Sequence, residues 1–464
     1  MKRNYLKKML LNSCFLGVLI FSGCDKDFLE AKSDKSLLIP SDLEDFEKIV
    51  YNEQIMTLQG PGVSNLCSDD AFISDVVMRG DRLSENEKKV YTWDRTMLEV
   101  SKVVTDWAEC YERIFYANVV LEGLIKIKPT VEDIAKWNRL YGAALFYRAL
   151  GHYQLLNVFS PIYHENTAVN QLGIPLRLTA DINDRPGRSS VKDSYDAVIS
   201  DLEESINYLD LKLERTSLPD QVSAWALLAR IYLSMSKFPE ALNRADEALK
   251  VNNALIDYNT LNLSSSKPIP SPRPVNSNPE VIFFSQTTGG WGFPSHGFIN
   301  IDLLSKYEDN DIRKKVFFKK VENDLYQFVG SYNRTSLLFN GLTTAELILI
   351  KAECLLRAGK IIDAQYQLSM LQKNRYVSGT TSDLSLLTNM ELMHEILLER
   401  RRELVFRDIR WSDLKRLNLE PEYQTTIKRM VNGTEHTLLP NSTMYVLPIP
   451  YLLELELNNL PQNP

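Results

Sequence analysis

Cysteine is scarce in this sequence and falls in no recurring spacing: residues 14, 24, 67, 110 and 354 include no CxxC pair. That excludes a disulfide framework and a cysteine zinc site, and leaves Cys67, Cys110 and Cys354 as small buried residues. Histidine is equally sparse, with residues at 152, 164, 296, 394 and 436 and no HExxH or other metal-ligand spacing. Asp309 and Asp311 offer oxygen ligands but not in an EF-hand pattern. There is no P-loop, no GxGxxG after a strand and no GxSxG elbow, so the usual nucleotide cradles and serine-hydrolase nucleophile are missing. A basic balance is missing too: 53 Lys and Arg stand against 60 Asp and Glu, for a net charge of -7, where a duplex-binding protein is normally basic. Adjacent acids such as Asp69 and Asp70 have the chemistry for glycoside hydrolysis, but pairing is expected among 60 acidic residues. With no activated nucleophile or proton donor in view, the expectation is a protein without catalysis, cofactor, metal or nucleic-acid partner.

The one long apolar run is at the N-terminus. Lys2, Arg3, Lys7 and Lys8 precede the apolar residues 9–21, a run too short for a comfortable membrane span, and Ser22 and Gly23 stand directly before Cys24. This reads as a secretory signal over residues 1–23, and "LIFSGC" resembles a bacterial lipobox, with Phe21 in place of the usual aliphatic residue. The resemblance implies cleavage before Cys24, a diacylglyceryl thioether on its sulfur and an acylated (palmitate-type) amine. Together these chains tether the rest of the molecule, 24–464, to a membrane through its first residue only. No later stretch approaches 18 uncharged apolar residues.

Beyond the tether, Ser41 followed by Glu44 is spaced as a capping box and predicts a helix start. Trp107, Tyr111, Ile114, Asn118 and Leu121 recur every three to four residues, and a second helical stretch follows Pro129 and Thr130, so 101–159 is expected to be a helical hairpin. The region 194–250 carries a tetratricopeptide-like spacing. Trp225, Leu228, Ala229 and Tyr232 share one face, Lys237 to Pro239 make the turn, and Ala241, Ala245 and Ala248 face back. A second copy, 123 residues later, runs over about 343–375: Ile348, Ala352 and Leu355, the turn "RAGK", then Ala364, Leu368 and Leu371, with Lys351 in the place of Leu228. The expected fold class is therefore all-α, a helical-repeat scaffold with a few short strands and two loop-rich insertions, about 60–100 and 254–342.

The aromatic residues of those insertions are the candidate ligand contacts. Trp291, Phe293 and His296 lie in "GGWGFPSHGF", among glycine and proline rather than at helical spacing. Aromatic rings flanked by polar groups are the usual platform for sugars, since a pyranose face stacks on the ring while its hydroxyls bond to neighbours. An equal alternative is that Trp291 plugs the loop onto the scaffold. Tyr91, Trp93, Asp69, Asp70 and Arg79 form a weaker second group. The densest charge cluster, "ERRRELVFRDIRWSDLKR" at 399–416, looks at first like a phosphate site, with seven Lys or Arg against four acids. On a helix, however, Glu399 and Arg402, and Glu403 and Arg407, are spaced for pairing. His394, Leu397, Leu398, Leu404 and Val405 share an apolar stripe into which Arg401 falls. A buried arginine demands a carboxylate, so Arg401 is expected in a structural ion pair, and Trp411 packed against a neighbour.

Taken in order, "CDKDFLE" at 24–30, "DWAECYERIFYANVVLEGL" at 106–124, "LFYRALGHYQLLNVF" at 145–159, "AWALLARIYLSMSKFPEAL" at 224–242, "AELILIKAECLLRAGK" at 345–360, "ERRRELVFRDIRWSDLKRL" at 399–417 and the tail "LPIP" with "QNP" resemble the SusD/RagB family of outer-membrane nutrient-binding lipoproteins. The resemblance implies a tetratricopeptide-like scaffold whose loop-rich half carries the ligand surface. It also implies an oligosaccharide ligand, or a peptide in some relatives, and a position as a lid on a SusC-like TonB-dependent transporter at the cell surface. Asp25 and Asp27 beside Cys24 resemble a surface-export signal. Thr343 stands where many relatives carry arginine, and no sugar-contacting residue carries over from a motif. A scaffold that binds only protein partners is the remaining alternative.

Overall fold

Short polar side chains that take up the first free amides decide where helices begin. The computed structural model describes residues 40–94, 102–272, 277–288, 295–450 and 458–463, which leaves Cys24, Trp291 and Phe293 outside the described residues. Its main unit is Asp42–Pro464; Pro40 and Ser41 are the described residues of a separate N-terminal unit. Helix α1 (Leu43–Val50) is capped by Asp42, whose carboxylate accepts from the Asp45 amide at 2.9 Å. The expected Ser41–Glu44 box is thus displaced by one residue, in the register that buries Leu43, Phe46 and Val50 on one face.

Helices α2 (Lys102–Leu124) and α3 (Ile134–Phe159) form the expected hairpin, with Trp107, Ile114 and Leu121 buried between them and the core. Their close approach depends on Gly151: a Cβ there would lie 2.7 Å from Ile114 Cγ1 and 3.1 Å from the Cys110 carbonyl oxygen. Helix α4 (Val191–Ile206) packs on α3, followed by the pair α5 (Gln221–Ser234) and α6 (Phe238–Val251). Ala241, Ala245 and Ala248 are fully buried against α5, the small residues letting two backbones come together. The second pair, α7 (Thr344–Arg357) and α8 (Ile361–Lys373), repeats this arrangement with Ala352, Ala364, Leu368 and Leu371 fully buried. The degenerate position has a physical account, because Lys351 on α7 reaches Asp246 on α6 at 2.6 Å and ties the two pairs together. The repeat extends to the backbone: Ser236 and Gly359, also 123 residues apart, both adopt left-handed φ, 58° and 75°, in the inter-helix turn.

Helix α9 (Asn389–Glu403) begins with a capping box between Thr388 and Glu391. Residues 391–417, expected from the sequence as a further helical pair, do form two helices, the chain turning at Phe406 and Asp408, with φ of 56° and 62°, before α10 (Arg410–Leu417). Strands are short and occur as antiparallel two-stranded ribbons: β1 (Ala71–Phe72) with β5 (Phe298–Ile299), β2 (Leu172–Pro175) with β3 (Arg188–Ser190), β4 (Val281–Phe283) with β8 (Leu342–Thr343), β6 (Phe318–Lys320) with β7 (Tyr326–Phe328), and β9 (Ile427–Val431) with β10 (Thr434–Leu438). The fold is the helical repeat expected, and Cys67, Cys110 and Cys354 are free and buried in its core.

At Gly359 an added Cβ meets nothing within 4 Å, so only its left-handed backbone distinguishes glycine from alanine there. Gly359→Ala is expected to lower unfolding free energy by about 1 kcal/mol in urea titration, the backbone penalty of a left-handed L-residue without any packing change.

Candidate functional site

The charge cluster at 399–416 turns inward. Glu399 forms ion pairs with Arg313 at 2.6 Å and Arg402 at 2.5 Å, while Glu403 takes Arg313 and Arg375 at 2.9 Å each. Arg400 pairs with Asp413 at 2.8 Å, and Arg416 pairs with Asp413 and with Glu353 at 2.8 and 2.7 Å. The Glu399–Arg402 spacing is used as expected. Glu403 instead serves two arginines from other segments, and Arg407 lies over the Tyr332 ring at 3.9 Å. The apolar stripe is also displaced: His394 is exposed, Leu397 and Leu398 are half-buried, and Glu399 and Glu403 occupy the inner face with Leu392 and Ile396. Burial pushes the Glu399 carboxyl up, but the guanidiniums of Arg313 and Arg402 outweigh it and hold it at about 2. Asp311, considered above as a cation ligand, is spent on Arg313, and Asp309 on Lys314. Trp411 packs on Tyr445 with ring centres 4.6 Å apart.

Arg401 extends this network to the first loop-rich region. Its guanidinium meets Asp70 at 2.8 Å and Asp69 at 2.9 Å, and Arg410 meets Asp69 at 2.7 Å. Burial opposes ionisation of Asp69, yet Arg410 and Arg401 together hold its carboxyl well below the ordinary range. Tyr91 and Trp93, expected as an exposed platform, are 2% and 7% exposed. The Arg429 guanidinium lies over both rings, 4.0 and 4.3 Å from their centres, and the Trp93 Nε1 donates to the Cys67 carbonyl at 3.0 Å. Rings covered by a guanidinium have no free face for a sugar, and Asp69 and Asp70 are likewise occupied. Arg79 is exposed and apart from them, donating to Asn432 Oδ1 at 3.2 Å.

What this buried network fixes is the root of the aromatic loop. On one side the Gln286 and Thr288 amides donate to the Thr57 and Gly60 carbonyls, each at 2.9 Å. On the other, the Asn300 amide donates to the Asp70 carbonyl at 2.8 Å, its side chain to the Asp69 carbonyl at 3.1 Å, and β5 pairs with β1. Both ends of residues 289–294 therefore hang from the segment 57–72 that Arg401, Arg410 and Arg429 hold. Glu109 Oε1 accepts from the Thr288 hydroxyl at 3.0 Å, while Glu109 Oε2 and Gln59 Oε1 have no hydrogen bond. Burial raises the Glu109 carboxyl against the opposing pull of Thr288 and Arg113. Across the root, Phe72 and Phe298 are half-buried cross-strand partners and His296 is half-buried beside them. The buried unpartnered acceptors thus flank the 286–288 side of the root and the half-buried rings its 298–300 side, the two kinds of group that a neutral, hydroxyl-rich ligand uses. Sequence reasoning missed Glu109, Gln59, Phe72 and Phe298, since nothing in their spacing marks them.

Residues 27–233 match the profile of a family described as starch-binding associating with outer membrane, and residues 339–464 match the SusD family profile. The chain belongs to the SusD family. A curated relative, SusD-like protein P2 of Formosa agariphila, is 25% identical over 77% of this chain and 79% of its own. The SusD-family fold recurs in a solved SusD superfamily protein of Bacteroides vulgatus (TM-score 0.75, 20% identity, 92% of this chain and 99% of that one). It recurs also in one from Bacteroides thetaiotaomicron (0.72, 21%, 91% and 99%) and in a SusD-like carbohydrate binding protein of B. vulgatus (0.68, 18%, 91% and 98%). The aromatic loop and its flanks at 286–300 lie between the two matched stretches, whereas 57–72 and Glu109, which hold them, lie inside the first. Among the described residues of this SusD-family chain, no helix is long and apolar enough to cross a membrane.

Asp69→Asn takes from Arg410 the carboxylate it pairs with and leaves Arg401 to Asp70, and is expected to lower unfolding free energy by about 3 kcal/mol in denaturant titration. Because the Glu399 carboxyl falls from its ordinary 4.5 to about 2 on folding, its contribution is complete above pH 4.5 and lost as pH falls toward 2. Urea midpoints should therefore drop through that window in the parent chain, and drop less in Glu399→Gln.

Proposed function

We propose that this protein is a non-catalytic, surface-exposed lipoprotein that binds oligosaccharides and delivers them to a SusC-like TonB-dependent transporter in the outer membrane. The observation that carries the reading is the loop root. Two unpartnered acceptors, Glu109 Oε2 and Gln59 Oε1, lie where the backbone of 57–72 clamps a loop that holds Trp291 and Phe293. Sugar hydroxyls donate to such acceptors while a pyranose face stacks on an aromatic ring. A SusD-like neighbour described as carbohydrate binding, and a family profile described as starch-binding, support the same ligand class. Membership of the family supports the transporter partnership, and the lipobox-like "LIFSGC" supports anchoring through Cys24.

The assignment has a direct test in isothermal titration against a panel of neutral oligosaccharides. At least one is expected to bind, with Trp291→Ala reducing affinity beyond detection and Glu109→Gln weakening it about tenfold at unchanged melting temperature, the worth of one hydrogen bond to a charged group. Binding that survives both substitutions would move the site elsewhere. Binding of peptides but no oligosaccharide would favour a peptide-binding lid.

A further inference from the structure

A cavity of about 420 Å³ opens between the C-terminal end of α3, the segment 161–171, α10 and residues 441–446. It shares no residue with the aromatic-loop root. Its floor is Lys415, 4% exposed, whose ammonium donates to the Asn157 and Ser160 carbonyls at 2.9 and 2.7 Å. Those two bonds are explained by the end of α3, where unpaired carbonyls attract a cation. They leave the third N–H over, and among the described residues no Asp or Glu lines the cavity to pair with the charge. Burial alone acts on this amine, pulling it down to about 7.

Two more buried donors face the same space. Asn418 is 1% exposed, and its orientation is fixed because Oδ1 accepts from the Thr425 amide at 2.9 Å; its Nδ2 has no hydrogen bond. Tyr445, 3% exposed and anchored on Trp411, has a hydroxyl without a hydrogen bond. His164 Nδ1, on the opposite wall, is also without one. A buried donor left unsatisfied carries a penalty of about 1–3 kcal/mol, so these two, Asn418 and Tyr445, in one cavity beside the Lys415 ammonium describe a site lacking its acceptor. The remaining wall, with Ile162, Leu419 and Val446, is apolar.

We propose that this cavity binds a small organic carboxylate, its two oxygens accepting from Lys415, Asn418 and Tyr445 and its body resting on the apolar wall. In a chain with 60 acidic residues, a donor-lined cavity with no carboxylate among its described lining residues selects against cations and for anions. Its size suits a molecule of roughly monosaccharide to disaccharide bulk.

The test is titration of the full chain by ligand-observed NMR with glucuronate, benzoate and succinate, beside glucose, benzyl alcohol and butane-1,4-diol as their neutral counterparts. At least one carboxylate is expected to bind saturably and its neutral counterpart not to bind. Lys415→Met should weaken it at least about tenfold and Tyr445→Phe severalfold, the loss of one charged and one neutral hydrogen bond. Melting curves of both variants verify that they fold, and Tyr445→Phe alone suffices if Lys415→Met does not. No binding by any of the three, equal binding of the neutral counterparts, or affinity unchanged in a folded variant would overturn the proposal. Failure of oligosaccharide binding at the aromatic loop would leave it standing, as the two sites have no residue in common.

Discussion

Seven cationic side chains between residues 400 and 416 have to be accommodated inside this protein, and the rest of the structure is arranged around that requirement. A buried guanidinium without a carboxylate costs several kcal/mol, whereas a correctly paired one adds little net stability over an apolar core. The consequence is selectivity rather than strength. Partners are drawn from distant places in the chain: Asp69 and Asp70, Glu346 and Glu353 on α7, and the acids of α9 and α10 themselves, with Arg313 and Arg375 completing the Glu399 and Glu403 sites. Any packing that separates these segments strands several charges at once.

That selectivity reaches the ligand surface through one short segment. Residues 57–72 are held from below by Arg401, Arg410 and Arg429, and they in turn hold both roots of the aromatic loop through backbone hydrogen bonds. Loops that bind ligand without a fixed base lose affinity to ordering entropy. Here the base is fixed by charge pairs on the scaffold helices, so the loop sits on a foundation that is ordered before ligand arrives. The helical repeat supplies the frame, and the ionic network connects it to the site.

Much of the frame was legible from residue spacing. Ala241, Ala245 and Ala248 at helical intervals, and their counterparts 123 residues on, announce close helix pairs, and they are fully buried. The need of Arg401 for a carboxylate was also legible, but not its partner, since Asp70 lies 331 residues away in the chain. The inner face of α9 was misjudged because periodicity assumes that apolar residues point inward. In this helix Glu399 and Glu403 are fully buried while Leu397 and Leu398 are only half so. The same assumption, inverted, made Tyr91 and Trp93 look like a surface platform, when a single arginine 336 or more residues later covers both. Glu109 and Gln59 leave no trace in the sequence, because what marks them is an unpaired oxygen beside Thr288 rather than any pattern.

Hydrogen–deuterium exchange of the full chain, with and without a bound oligosaccharide, tests the central claim that ligand is captured at the clamped loop root. The account predicts that protection on binding concentrates at the amides of Gln286, Thr288 and Asn300 and across 57–72, with the α5–α6 and α7–α8 pairs unchanged. Protection confined to the repeat helices, or spread evenly over the molecule, would contradict it.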